Sequence, residues 1–123
     1  MKKKVALLIP SMGNISCFIK MIDSLVNQTF YQDLNVFITF NPKDDEQSLA
    51  AAGSCMTYAE NVAKNIAILR CRRINLKTYL VPKPIGYGGA INHSYRGMVE
   101  YEKENSIKHD YIIFGNDDLV FTS

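Results

Sequence analysis

The run KVALLIP, Lys4–Pro10, decides the fold because it is almost entirely apolar and contains β-branched valine and isoleucine. A strand that is covered on both of its faces, as in a parallel sheet, has this pattern. The turn Ser11–Asn14 follows, and apolar residues then recur every three or four positions as far as Val26. That spacing forms one apolar stripe on a helix, which Asn14 is well suited to cap. The beginning of the chain therefore predicts a strand followed by a helix.

The same alternation of strand and helix continues along the rest of the chain. We predict further strands at Leu34–Phe40, Leu76–Pro82 and Asp110–Gly115, and further helices at Gln47–Arg73, with an interruption at Gly53, and Ala90–Asn105. The last helix is expected to bury one side, made of Ala90, Ile91, Ser94, Tyr95, Met98 and Val99. Strands alternating with helices form a parallel sheet with right-handed crossovers. We therefore predict an α/β fold, a three-layer Rossmann-like sandwich with a mainly parallel sheet.

Composition places the chain among ordinary soluble proteins. Its 123 residues suit one domain, with 47% hydrophobic and 21% charged residues, and a net charge of +2 is too small to indicate a nucleic-acid partner. The apolar run Val5–Ile9 is shorter than the ~7 residues that an export signal needs. The three cysteines, Cys17, Cys55 and Cys71, lack the spacing of a zinc site and are expected to be reduced, buried thiols in a cytoplasmic protein.

The most polar and glycine-rich stretches all follow predicted strands. They are Ser11–Asn14, Asn41–Asp45, Lys83–Gly89 and Gly115–Asp118. Ligands of parallel α/β sheets bind beyond the carboxyl ends of the strands. We therefore expect these four loops to form a binding site together.

Two of these loops have a structural and a functional interpretation. Gly115–Asp118 lies between apolar runs and could be a β-hairpin turn, or its carboxylates could bind a divalent cation. Ile85–Asn92 could bring backbone amides close to an anionic ligand, or its glycines could serve helix–sheet packing. It lacks the third glycine of a dinucleotide-binding fingerprint, and no phosphate-binding Gly-Lys-Ser/Thr occurs.

Tyr87 could stack on a base or sugar, or cover the core. We interpret His93 and His109 as surface residues.

Taken in order, the motifs resemble those of the family-2 glycosyltransferases of the A-type fold. The matching stretches are Leu8-Ile9-Pro10-Ser11, Ser24-Leu25-Val26-Asn27-Gln28-Thr29-Phe30, Asn41-Pro42-Lys43-Asp44, Gly86-Tyr87-Gly88-Gly89-Ala90-Ile91-Asn92 and Asn116-Asp117-Asp118. The glycine segment is the most specific of these. The sequence departs from the family by having Pro84 where asparagine is usual, and Asn116 where an acid is common.

The resemblance implies an enzyme that transfers sugar from a nucleotide-diphosphate-sugar donor to a glycan or other hydroxyl acceptor, as in cell-surface polysaccharide biosynthesis. It implies a Mn²⁺ or Mg²⁺ cofactor held by Asp118. The substrate-binding residues that it implies are Pro10, Ser11, Asn41, Asp44, Gly86, Tyr87, Gly88, Gly89, Asn92, Asn116 and Asp117.

Members of that family are much longer, so we expect residues 1–123 to form a single nucleotide-sugar-binding domain, the amino-terminal part of a larger enzyme. The general base and any peripheral membrane association are then expected in the other part. An apolar sheet edge would be left exposed, which favours a homo-oligomer. The alternative is a non-catalytic nucleotide-binding or interaction module of α/β fold.

Overall fold

In the computed structural model, the chain forms one four-stranded sheet with helices on both faces, and residues 3–26, 33–69 and 74–117 are described. The elements are β1 (Lys4–Ser11), α1 (Ile15–Val26), β2 (Asp33–Phe40), α2 (Glu46–Leu69), β3 (Ile74–Leu80), α3 (Gly86–Asn105) and β4 (Tyr111–Phe114). The strand order is β3-β2-β1-β4, and every pair is parallel. The predicted α/β class and parallel sheet are confirmed.

The side chains of β1 alternate between two apolar layers. Val5, Leu7 and Ile9 pack with α1 and α2, whereas Ala6 and Leu8 face α3. The α1–α2 layer is much the larger, and its buried helix residues are Phe18, Met21, Ile22, Leu25, Ala52, Cys55 and Ala59. A strand that is covered by helices on both faces must be apolar throughout, as the run in β1 indicates.

The predicted cap at Asn14 is present, and α2 on the same side of the sheet is capped as well. The Asn14 side chain accepts a bond from Cys17 N at 3.2 Å at the start of α1. Asp45 precedes α2, and its carboxylate accepts one bond from Ser48 N at 2.7 Å and another from Ser48 Oγ at 3.0 Å. These bonds hold the pKa of Asp45 below its ordinary value.

Three predicted boundaries are wrong. The helix α2 runs through Gly53 without interruption, because Ala52 and Cys55 beside it are buried in the core. The strand β3 spans Ile74–Leu80 instead of Leu76–Pro82, since its register with β2 ends where β2 ends. The helix α3 begins at Gly86, four residues before the predicted start at Ala90.

The buried side of α3 also differs from the predicted stripe. It consists of Ala90, Ser94, Gly97 and Met98, while Tyr95 is 45% exposed. The ring of Tyr79 occupies the space that a side chain at Gly97 would take, so a β-carbon there would clash with the Tyr79 hydroxyl unless that ring moved. Ser94 Oγ lies 2.6 Å from Thr39 Oγ1, which joins α3 to β2 by a buried hydrogen bond.

The interpretation of His109 as a surface residue is wrong, since its side chain is fully buried. Its Nδ1 donates to Glu102 at 3.0 Å, and its Nε2 accepts from the Asn35 amide at 2.8 Å. The Asn35 oxygen in turn accepts from Asn75 at 2.8 Å. We call Glu102, His109, Asn35 and Asn75 the amino-end polar chain, because it lies at the amino ends of the strands. His93 is partly buried, with its ring 5.2 Å from that of Tyr79.

The described cysteines are free, with Cys55 buried and Cys17 partly exposed. Burial and the nearby Asp117 carboxylate raise the pKa of Cys55 to about 11, so its thiol stays protonated. Several positions that bear on the sequence predictions lie outside the described residues. They are Cys71, the cations Arg70, Arg72 and Arg73, and the segment 118–121 that would complete a hairpin. No helix within the described ranges is long and apolar enough to cross a membrane.

Candidate functional site

An open cavity of about 580 Å³ lies at the carboxyl ends of the strands. Its lining comes from the end of β1, the loop after β2, the loop before α3, the first turn of α3 and the segment after β4. The chain proceeds from β1 to β2 and β3 on one side and then returns through α3 to β4 on the other. The strand order therefore reverses at β1, and such a switch point is where open α/β sheets bind ligands.

Most of the predicted site residues line this carboxyl-end cavity. They are Pro10, Ser11, Asn41, Asp44, Gly86, Tyr87, Asn116 and Asp117. Gly88, Gly89 and Asn92 are not part of the lining, although Gly86, Tyr87 and Ala90 of the same helix are. Asp118, the predicted metal ligand, lies outside the described residues. Residues that are more than a hundred positions apart in sequence, such as Ser11 and Asp117, thus meet at one end of the sheet.

Ser11 connects β1 to the segment after β4. Its hydroxyl donates to the Asp117 carboxylate at 2.7 Å and accepts from Gly13 N at 3.0 Å. Gly13 has a φ of +90°, and a β-carbon there would lie 3.1 Å from the backbone of Ala52 in α2. The turn after β1 can therefore pass this close to α2 only with glycine at position 13. The bond from Gly13 N orients the Ser11 hydroxyl towards Asp117.

Asn41 is nearly buried, and it organises the loop between β3 and α3. Its amide nitrogen donates to the carbonyl oxygens of Val81 at 2.9 Å and Lys83 at 2.8 Å, and its oxygen accepts from Ile85 N at 2.9 Å. Both amide protons are engaged, so Asn41 acts on the site by positioning that loop. The remaining acceptor capacity of its oxygen is the only part of the amide left for a ligand.

The first turn of α3 presents backbone to the cavity. Gly86 has a φ of +75°, and β-carbons at Gly86 and Gly88 would meet no atom within 4 Å. A β-carbon at Gly89 would meet only the Ile85 side chain of the same segment. Helix–sheet packing therefore does not require Gly86 or Gly88. The positive φ of Gly86 favours glycine at that position, and the open space beside it leaves its backbone accessible to a ligand.

Tyr87 does not cover the core, since its side chain is 59% exposed and lines the cavity. An aromatic ring held at the rim in this way can stack on a planar or sugar ring of a ligand. Tyr87 follows Gly86 in the first turn of α3, where the backbone amides favour an anionic group. The structure thus places a stacking surface next to a potential anion-binding position.

The cavity is also lined by residues of the predicted segments that the sequence analysis did not name singly as binding residues, namely Met12, Pro42, Lys43, Pro84 and Ala90. Lys43 follows Pro42 in the loop after β2, and its side chain is exposed. It lies beside Asp44 in the sequence, so the loop carries one charge of each sign. The signal that could have indicated Lys43 was its position in a loop already predicted to face the ligand.

The described part of the lining offers two carboxylates to a divalent cation. One oxygen of Asp117 accepts from Ser11, and the other makes no hydrogen bond within the described ranges. Asp44 is exposed in the lining. No cluster of three or more His, Cys, Asp or Glu suited to a metal ion occurs within the described ranges. One or two carboxylates are enough where a diphosphate supplies the remaining oxygen ligands, so the donor set fits Mg²⁺ or Mn²⁺ carried by a nucleotide.

Comparison with known proteins finds no matching family model, curated protein or solved structure. The fold and the cavity are therefore known from the geometry of this chain alone. The resemblance to family-2 glycosyltransferases stays a prediction.

Proposed function

We propose that this chain binds a nucleotide-diphosphate-sugar together with a divalent cation, as the donor-binding part of a glycosyltransferase. The observation that supports the proposal is the convergence of four separate segments on one cavity at the strand-order switch point. The residues predicted to bind the donor supply most of its lining.

Each part of the cavity suits a different part of such a ligand. The ring of Tyr87 offers a surface for the base or a sugar, and the free α3 amides near Gly86 suit a phosphate. Pro10 and Ser11 form the floor at the end of β1, and Asn116 is exposed within reach of the opening. Asp117, and Asp118 after it, would hold the cation, which when bound offsets negative charge on the leaving nucleoside diphosphate.

A thermal-shift screen of UDP, GDP and dTDP and their sugars, each with and without Mn²⁺, tests the proposal directly. A ligand present at about 100 times its Kd stabilises the fold by roughly 2.7 kcal/mol, which is easily measured. We expect one nucleotide to raise the melting temperature, and to raise it further with Mn²⁺. If none of the nucleotides or sugars alters the melting temperature, the proposed function is wrong.

The metal assignment has its own test. Asp118→Asn is expected to weaken Mn²⁺-dependent nucleotide binding roughly tenfold or more, because a neutral amide replaces an anionic ligand. Glu60→Gln removes an exposed carboxylate from α2 and serves as the matched control, since Glu60 lies outside the cavity lining. Calorimetry that records unchanged binding of UDP or dTDP with Mn²⁺ would reject Asp118 as the ligand.

A second candidate is a nucleotide-binding or interaction module without catalysis. The observation that favours it is the exposed apolar strand β4, which suits contact with another protein surface. Sugar transfer to an acceptor, or hydrolysis of a bound nucleotide-sugar, by the purified chain would distinguish the enzyme from the module. Nucleotide binding without either reaction would favour the module.

A further inference from the structure

The methionines of the chain differ sharply in exposure. Met12 is 59% exposed, whereas Met21 and Met98 are buried and Met56 packs against the core beneath α1 and α2. A thioether must meet an oxidant in solution to become a sulfoxide, so among the described methionines Met12 is the most open to this reaction. Met12 also lines the carboxyl-end cavity. We propose that Met12 is a redox-sensitive residue of the cavity wall, and that its oxidation to the sulfoxide weakens binding of the nucleotide-sugar.

The turn that carries Met12 is held on both sides. Before it, the Ser11 hydroxyl donates to Asp117 at 2.7 Å and accepts from Gly13 N at 3.0 Å. After it, Gly13 packs so closely on α2 that a β-carbon would lie 3.1 Å from the backbone of Ala52. Because both neighbours are fixed, the Met12 side chain stays at the cavity whether its sulfur is reduced or oxidised. A chemical change at the sulfur therefore acts on the cavity itself.

The reduced side chain suits a ligand that contains a ring. The wall to which it belongs includes the apolar side chains of Pro10 and Pro42 and the ring of Tyr87. A thioether is flexible and polarisable, and it makes favourable contacts with aromatic rings. The inference rests on the proposed function, in which Met12 contacts the base or the sugar of the donor.

The sulfoxide is unsuited to the same contact. Its oxygen accepts hydrogen bonds, and the face of a ring that covers it removes water without supplying a donor. The lining already includes the carboxylates of Asp44 and Asp117, so a further oxygen with partial negative charge also repels a diphosphate. We expect the dissociation constant of the nucleotide to rise roughly tenfold on oxidation of Met12.

The reaction is balanced with a peroxide as the oxidant. A lone pair of Met12 Sδ attacks one oxygen of hydrogen peroxide, the O–O bond breaks, and proton transfer releases the other oxygen as water. The sulfur is oxidised by two electrons, and the peroxide is reduced by two. Methionine sulfoxide reductases reverse the change, so it can serve as a switch. Cys55 does not compete for the peroxide, since its thiol is buried and stays protonated.

The first experiment measures selectivity and does not depend on nucleotide binding. The chain with Cys17→Ser and Cys71→Ser is treated with hydrogen peroxide, and the methionines, which trypsin places in separate peptides, are followed by mass spectrometry. We expect Met12 to react at least about tenfold faster than Met21 and Met98, which react only when the fold opens locally. Comparable rates for the three would overturn the proposal.

The second experiment measures binding after catalase has removed the peroxide. Calorimetry follows UDP, GDP, dTDP and their sugars with Mn²⁺, and we expect affinity to fall roughly tenfold on oxidation and to recover after treatment with both sulfoxide reductases. Met12→Leu keeps an apolar side chain that peroxide cannot oxidise, so it should abolish the fall. Met56→Leu is the matched control and should keep the fall.

The results distinguish this inference from the proposed function. If the reduced chain binds none of these ligands, the proposed function is wrong, and the inference that rests on it is wrong as well. If the reduced chain binds a nucleotide and peroxide does not weaken that binding, only the inference is wrong. A loss that persists in Met12→Leu, or that the reductases do not reverse, would also overturn it.

Discussion

The two ends of the sheet carry similar polar residues, but they use them differently. At the amino end, Glu102, His109, Asn35 and Asn75 satisfy one another in the amino-end polar chain. At the carboxyl end, Ser11 and Asn41 bond to neighbouring segments, whereas the side chains of Asp44 and Asn116 make no hydrogen bond to another residue within the described ranges. Polar groups that satisfy each other hold strands and helices together, whereas groups left open to a cavity are available to a ligand. The contrast separates structural from functional polar residues within one fold.

The contrast is tested most strongly by Asn35→Ala at the amino end. Asn35 is 4% exposed, and its loss leaves Nε2 of the buried His109 without a donor. It also removes the nearer of two acceptors of the Asn75 amide, the other being the Tyr101 hydroxyl at 3.3 Å. We expect the free energy of unfolding to fall by about 2 to 3 kcal/mol, measured by urea denaturation. Asn116→Ala at the carboxyl end is the control and should change stability by no more than about 0.5 kcal/mol. Equal effects of the two variants would contradict the distinction.

Asn41→Ala tests a residue that is structural although it lies at the functional end. It removes the bonds to Val81 O, Lys83 O and Ile85 N, so we expect a loss of about 2 kcal/mol of stability. Amide hydrogen exchange should also quicken at Ile85, while it stays slow in the centre of β2. If exchange at Ile85 were unchanged, Asn41 would not hold the loop.

Ser11→Ala is expected to have a smaller effect on stability, about 1 kcal/mol, because the Asp117 carboxylate it releases is only partly buried and can be hydrated. Nucleotide binding with Mn²⁺ is expected to weaken more than this loss explains, since Asp117 is no longer held in place. Ser11→Thr keeps a hydroxyl and is the conservative comparison. Equal nucleotide affinity in Ser11→Ala and the unaltered chain would contradict a positioning role.

The smallest effect is expected from acid titration of Glu102. Partial burial acts to raise its pKa, but the bonds from the His109 N–H and Nδ1–H, with Lys108 nearby, hold it below the ordinary value. The stability that this supplies is present above the unfolded pKa of about 4.3 and is lost as pH falls through the lower folded pKa. Glu102→Gln should therefore flatten the dependence of unfolding free energy on pH below about pH 5. An unaltered slope would mean that Glu102 does not contribute.

The sequence predicts those features that depend on one periodic segment at a time. Apolar runs and helical stripes located every strand and helix, and the rule for parallel sheets placed the polar loops at one end. Element boundaries were less predictable, because β3 ends where its partner β2 ends and α3 starts at a glycine with positive φ. The position of Tyr79 over Gly97 and the burial of His109 depend on contacts between distant segments, which have no local signal.

Within the site, the cavity-lining role of Tyr87 follows from its position beside glycines, but the engagement of Asn41 does not. An asparagine after a strand looks the same in sequence whether its amide faces a ligand or a loop. Only the path of Val81–Ile85 distinguishes them, and that path is determined by the register between β2 and β3.

The contact between Gly97 and Tyr79 has a consequence for engineering. Both residues lie outside the cavity lining, yet Gly97 sits on the same rigid helix whose first turn forms one wall of that cavity. A side chain at position 97 needs the space that the Tyr79 ring holds, so either that ring moves or α3 tilts away from the sheet. Tilting the helix there would shift its first turn, about three turns away. The width of the opening could thus be adjusted without altering a single residue that faces the ligand.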